Sequence, residues 1–146
     1  MTPACRLRDE ELSTEELGPG AHMAKLWAAD SPATYSDRGT DPAAADFFPS
    51  VGGPRFYYSV TESTEDNYLD SESFEEAVQF EDGWHNTHAT DFIVAVKGHL
   101  TLEMENGDTG VIRLGGIVQD DVRYRWRLTR DDPAAGIVFS IGASRA

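Results

Sequence analysis

Two stretches of this chain hold side chains that can do chemistry. The first, Trp84-His-Asn-Thr-His-Ala-Thr-Asp-Phe92, sets two imidazoles and a carboxylate close together. The second, Val118-Gln-Asp-Asp-Val-Arg-Tyr-Arg-Trp-Arg127, carries a phenol, an indole and three guanidinium groups. An imidazole titrates near neutral pH and can take or give a proton. A phenol can donate a proton or hydrogen-bond a carbonyl or developing enolate. A carboxylate can orient the imidazole and fix its tautomer, or act as a second acid/base group. His85, Tyr124 and Asp91 are therefore the candidate catalytic residues. His85, His88 and Asp91 also form a His-x-x-His-x-x-Asp run that could hold a divalent metal, which wants several N and O ligands converging on one point. On a β segment, residues three apart point to opposite faces. His85 then shares a face with Thr87, and His88 does not unless a turn intervenes. The simpler reading of His88 is a surface or turn residue, and of His22 and His99 a structural one.

The elements that must position these groups are short and β-rich. Arg55-Phe-Tyr-Tyr-Ser-Val60 reads as a strand from its aromatic and β-branched residues. Asp91–Lys97 reads as another, ending at Gly98. His99–Glu105 alternates strictly, with Leu100, Leu102 and Met104 on one face. His99, opposite them, faces either solvent or a cavity. Asn106-Gly107 is a hairpin-turn dipeptide. Short runs at Val111–Leu114, Ile117–Gln119, Val122–Leu128 and Gly136–Ile141 follow. Within Val122–Leu128, Tyr124 and Trp126 share one face while Arg123, Arg125 and Arg127 share the other. Strands at this spacing predict an antiparallel sandwich or barrel. Earlier in the chain, Asp9–Leu17 reads as a short helix stopped by Gly18-Pro19-Gly20. A second short helix is expected over Phe74–Phe80, capped by Ser71 or Ser73. Ser31–Pro54 reads as loop.

Composition bounds the partners. The 146 residues carry 26 acids and 12 bases, a net charge of −14. A nucleic-acid binder needs a basic surface to neutralise phosphates, and an anionic lipid surface needs the same. The expected partner is a small-molecule substrate, with no nucleic acid and no membrane. The single Cys5 can make no intramolecular disulfide and no cysteine-rich zinc site. No apolar run approaches the roughly 20 residues of a spanning helix, and the first residues show no apolar signal segment. A cytoplasmic location is the default expectation.

The two stretches resemble the paired motifs of the cupin superfamily. They are most similar to a branch of small single-domain cupins, several found in natural-product gene clusters. That branch reads His-x-Thr-x-x-x-Asp-Tyr, then Val-Gln-x-Gly-x-x-His-x-Trp-Arg-Asn. His85, Thr87, Asp91 and Phe92 match the first motif, and Val118, Gln119, Trp126 and Arg127 the second. The likeness extends over most of Ala21–Ala143. It implies an all-β fold, an antiparallel jelly-roll cupin barrel, with an N-terminal extension over residues 1–20, one cupin domain over 21–146, and one or two short helices. A homodimer is possible by the same resemblance. It also implies that Tyr124 and Trp126 line the barrel cavity while the three arginines face out; the plainer reading makes both aromatics ordinary core residues.

The departures from the branch weaken its metal site. Thr87 stands where the second histidine of the first motif would be, Asp91 replaces the usual Glu, and Tyr124 replaces the histidine of the second motif. No cofactor is favoured. If a divalent metal binds, His85, His88 and Asp91 are the candidate ligands.

The leading expectation is a metal-independent enzyme of polyketide-like secondary metabolism, performing dehydration, cyclisation or isomerisation on an activated carbonyl compound. His85, Tyr124 and Asp91 would do the chemistry; Trp126, Phe92, Thr87, Tyr57 and Gln119 would bind the substrate. The alternatives are a metal-dependent cupin oxygenase or lyase, and a non-catalytic small-molecule-binding cupin.

Overall fold

A computed structural model describes residues 13–18, 20–32, 46–62, 84–113, 116–119, 122–128 and 133–144. Every regular element among them is a strand: β1 (Glu15–Gly18), β2 (Ala21–Ala28), β3 (Pro54–Thr61), β4 (Ala89–Lys97), β5 (Leu100–Met104), β6 (Thr109–Ile112), β7 (Gly116–Gln119), β8 (Tyr124–Leu128) and β9 (Ala134–Gly142). They form two antiparallel sheets, one in the order β1-β2-β3-β9-β4-β7 and one in the order β6-β5-β8. The described residues are thus all-β, two packed antiparallel sheets as the strand spacing predicts, consistent with the jelly roll that the resemblance implies.

Among the described residues, the sheets join through two apolar clusters that share Trp126. Ile93 and Ala95 of β4 meet Leu102 of β5, Ile112 of β6 and Tyr124 of β8, with Met104, Trp126 and Val138 packed around them. β4 shows the strict alternation of a strand buried on one face. Its odd-numbered residues Asp91, Ile93 and Ala95 are buried, while Phe92, Val94 and Val96 are exposed. β8 keeps the expected parity, with Tyr124 and Trp126 inward. Outside, Arg125 and Arg127 both pair with Glu103, and Arg123 pairs with Glu105. Arg125 also lies over the Trp84 ring, 4.7 Å from its centroid.

The Asn106-Gly107 signal marks a real hairpin, with one residue more than a two-residue turn. Met104 N–H donates to the Asp108 carbonyl, so the loop is Glu105-Asn106-Gly107. Gly107 sits at φ 89°, the left-handed region that such three-residue loops require.

Two expectations need correction or fall outside the description. The C-terminal part of the expected Asp9–Leu17 helix is strand β1, paired with β2 across Gly18 and Ala21. Gly18 therefore ends a strand paired with β2 rather than a helix. Pairing with a neighbouring strand overrides a weak local helix preference. The expected helix over Phe74–Phe80 lies outside the described residues. Among the described residues, no helix is long and apolar enough to cross a membrane.

Candidate functional site

The first stretch enters the barrel through a single β-bridge. His85 N–H donates to the Tyr124 carbonyl at 2.9 Å, and Tyr124 N–H donates to the His85 carbonyl at 3.0 Å. Residues directly opposite in such a pair point to the same face. The imidazole and phenol rings are accordingly side by side, 4.2 Å between centroids. A turn then intervenes. Asn86 Oδ1 accepts the His88 N–H at 2.9 Å, and His88 holds a left-handed φ of 46°. The chain then runs into β4, which carries Asp91 on its inward face.

Asp91 is the polar centre of the site. It is 2% exposed. Its Oδ2 accepts the Thr87 and Tyr124 hydroxyls, each at 3.1 Å, and its Oδ1 accepts the Ser140 hydroxyl. The three donors come from three places: the turn before β4, β8 of the opposite sheet, and β9. Ser140 reaches Asp91 because the two residues face one another in the β4–β9 register. Burial pushes the Tyr124 phenol well above its usual range, and the charge of Asp91 adds to that shift. Burial likewise raises Tyr57, with the Asp91 charge adding and the Arg55 charge opposing.

These groups line a cavity of about 110 Å³ between the sheets. His85, Thr87, Asp91, Tyr124 and Ser140 are its polar end; Trp126, Tyr57, Ile93, Leu100 and Val138 are among its walls. Phe48 adds a wall from the segment before β3. That segment is fixed by β3. The buried Arg55 guanidinium donates to the Asp46, Phe48, Pro54 and Ala29 carbonyls and pairs with Asp30 at 2.6 Å. Two residues on, the Tyr57 hydroxyl donates to the Phe47 carbonyl, and the two rings stack at 5.1 Å.

The structure thus brings His85, Asp91, Tyr124, Trp126, Thr87 and Tyr57 to one cavity. It does not bring Phe92. Phe92 follows the inward-facing Asp91 by one residue, so it points outward; it is 41% exposed and lies 6.3 Å from the Phe139 ring on the outer face. Its expected place in the cavity wall is corrected on that ground. Gln119 pairs with Asp91 in the β4–β7 register, and its side chain lies outside the described residues. His99 is exposed. His22 is a cavity residue, 3.7 Å from Glu62, rather than only a structural one.

The candidate metal set does not assemble. Among the described residues, no three His, Cys, Asp or Glu side chains form a group that could hold a metal ion. His88, at its left-handed φ of 46°, is not among the described cavity residues. The residues present do not fit a divalent ion bound by His85, His88 and Asp91.

Sequence reasoning missed Ser140, His22, Phe48 and Arg55. A serine in an apolar strand and an arginine at the head of an aromatic one carry no signal until the strands are paired.

No family model matches the sequence, and no curated protein is significantly similar to it. Solved structures are similar in fold. The polyketide cyclase RemF from Streptomyces resistomycificus aligns with a TM-score of 0.55 at 10% identity, over 94% of this chain and 78% of that one. A cupin-like protein from Thermotoga maritima aligns with a TM-score of 0.51 at 11% identity, over 92% and 80%. A structure from the DMSP lyases RdDddP and RnDddQII aligns at 0.50 and 13% identity, over 84% of this chain and 48% of that one. This chain therefore spans about half the length of that lyase. With its two-sheet jelly roll and these likenesses, this chain is a protein of the cupin fold.

Proposed function

We propose that this chain is a cupin-fold enzyme that moves protons on a small, polyketide-like carbonyl compound, by dehydration, isomerisation or cyclisation. One observation carries the reading: an imidazole and a buried, hydroxyl-bonded carboxylate line the same apolar cavity. A cavity that only bound an apolar ligand would need neither. His85 is the proton carrier. It takes the proton from the carbon next to the substrate carbonyl, leaving the electron pair as an enolate. The enolate then expels a β-hydroxyl, takes a proton at another carbon, or attacks a second carbonyl. In the dehydration, the proton held by His85 leaves with the hydroxyl as water, so one imidazole serves as base and then acid. Asp91 holds Tyr124, Thr87 and Ser140 in place. A polyketide cyclase, RemF, is built on the same fold, which supports the reaction class by analogy of fold alone. The cavity volume limits the reacting portion to about one ring, since a cavity of roughly 150 Å³ holds benzene.

The test is proton exchange in D2O. 4-Hydroxybutan-2-one and 3-hydroxycyclopentanone are incubated with the protein, and loss of the α-proton signal and of water is followed by proton NMR. Exchange or dehydration above the buffer rate is expected, reduced roughly 100-fold or more in His85→Gln. Equal rates with and without protein, or an unchanged rate in the variant, would overturn the reading.

A further inference from the structure

We infer that the cavity is a blind channel whose substrate is an elongated, uncharged molecule, entering from the β2–β3 end with its reacting carbonyl leading. The inference rests on the proposed reading of the cavity as the substrate site. The strand registers give the channel its axis. Asp91, Ser140 and Arg55 stand abreast across β4, β9 and β3. Two residues along each strand, on the same inner face, come Ile93, Val138 and Tyr57, and then Ala95, Gly136 and Ser59. Thr61, opposite Ala21 of β2, ends the row. Tyr57, Ser59 and Thr61 alternate along one face of β3, and all three line the cavity. At about 3.3 Å per residue, Ser59 lies about 13 Å and Thr61 about 20 Å beyond the level of Asp91.

Burial changes in one direction along that axis. At the Asp91 level, His85, Asp91, Tyr124 and Ser140 are at most 4% exposed, with the half-buried Thr87 on their flank. Behind them the buried Arg55, Ala29 and Ala89 close the barrel. At the other end Ala21, Met23, Ser59 and Thr61 are all half-buried. The Asp91 cluster is therefore the floor, and the β2–β3 end is the mouth. Gly136 keeps the bore clear between them: a Cβ on it would stand 3.5 Å from Ser59 Oγ. A volume of about 110 Å³ spread over that length admits a chain, or a chain ending in one ring, rather than fused rings. Charge sets the second property. No Lys or Arg is among the described lining residues, and Glu62, directly after Thr61, is exposed at the mouth. Of the two lining imidazoles, His22 lies 3.7 Å from Glu62. A carboxylate or phosphate entering here gives up its water and meets Glu62 and then Asp91. An uncharged chain with a hydroxyl at the level of Ser59 fits both ends.

Three ketones test the channel, with affinities measured by calorimetry on the full chain: butan-2-one, 11-hydroxyundecan-2-one and its acid counterpart 10-oxoundecanoate. The hydroxyketone is expected to bind roughly 100-fold or more tightly than butan-2-one, because its added methylenes are buried along the bore. The acid is expected to bind at least about tenfold more weakly than the hydroxyketone. Ser59→Phe fills the bore halfway along, and Ala21→Trp, at a half-buried rim position that tolerates bulk, plugs the mouth. In either variant the long-chain advantage is expected to fall below about tenfold. A hydroxyketone that binds no more tightly than butan-2-one overturns the elongated substrate and leaves the D2O assay to judge the enzyme reading. A long-chain advantage intact in both variants overturns entry from the β2–β3 end. An acid that binds as tightly as the hydroxyketone overturns the preference for an uncharged molecule. Tight, variant-sensitive binding of the hydroxyketone without proton exchange in D2O supports the channel while the enzyme reading fails.

Discussion

A tyrosine hydroxyl sealed against a carboxylate makes stability depend on pH in one direction. Tyr124 is 4% exposed, and burial together with Asp91 raises its phenol well above the ordinary 10.0. Tyr57, 2% exposed, is raised for the same leading reason. Above pH 10 the unfolded chain releases these protons and the folded chain retains them. The folded state then binds more protons, so stability is fully present below pH 10 and declines as pH rises beyond it. Each group contributes a slope of about 1.4 kcal/mol per pH unit until its folded value is reached. In urea melts between pH 9 and 11.5, Tyr124→Phe is expected to flatten the decline by about that amount relative to the unaltered chain. Parallel pH profiles would show that the Tyr124 hydroxyl is not sealed in the fold. At this scale much of the site was legible. The period of two placed Tyr124 and Trp126 together and the arginines opposite. The same rule, applied to Asp91 and Phe92, puts Phe92 outside; matching it to a family motif position obscured that. Ser140 was illegible because its partner Asp91 lies 49 residues away and meets it only through the β4–β9 register.

Between elements, Arg55 does for the cavity wall what no local sequence preference could. Its guanidinium ties the residues after β2, Ala29 and Asp30, to the segment 46–48 that supplies Phe48. Several carbonyls would lose a donor together if it were removed. Arg55→Met is expected to cost about 3 kcal/mol in urea denaturation, less than a fully buried ion pair because Asp30 stays partly solvated. Arg55→Lys recovers little, since an ammonium cannot fork toward carbonyls in two directions. A loss below about 1 kcal/mol in both variants would mean that the wall is held by the Phe47–Tyr57 stack instead. The strands from β3 onward were readable because aromatic and β-branched residues fill them, and Gly107 marked a turn. β2 was not. Ala21–Ala28 contains three alanines and no clean alternation, and a bulge between Lys25 and Trp27 breaks its pairing with β3. It is a strand because β3 and β1 flank it, which is information held in tertiary pairing alone.

Over the whole molecule, charge and apolar surface divide between regions. Residues 1–82 hold 18 acids and 5 bases, whereas residues 83–146 hold 8 and 7. In the second region the outer face of β8 is close to neutral, because Arg123, Arg125 and Arg127 pair with Glu103 and Glu105. The outer face of β4 and β9 carries no charge at Phe92, Val94, Val96 or Ile141. Two electrostatic contributions therefore oppose each other as salt is added. Screening weakens the Arg–Glu pairs, each a surface pair contributing at most about 1 kcal/mol. It also relieves the mutual repulsion of a net charge of −14, which is dense between Val60 and Asp82, where nine acids occur with no base. Going from 10 to 150 mM NaCl shortens the screening length from about 30 to about 8 Å, enough to act on both. The acids exceed the bases by 14, so stability is expected to rise with salt. A gain of about 1 kcal/mol would appear as an increase of about 3 °C in Tm for a chain of this size. A fall in Tm across that range would place the balance with the Arg–Glu ladder, and the acidic half would then be a region whose charge the fold already neutralises.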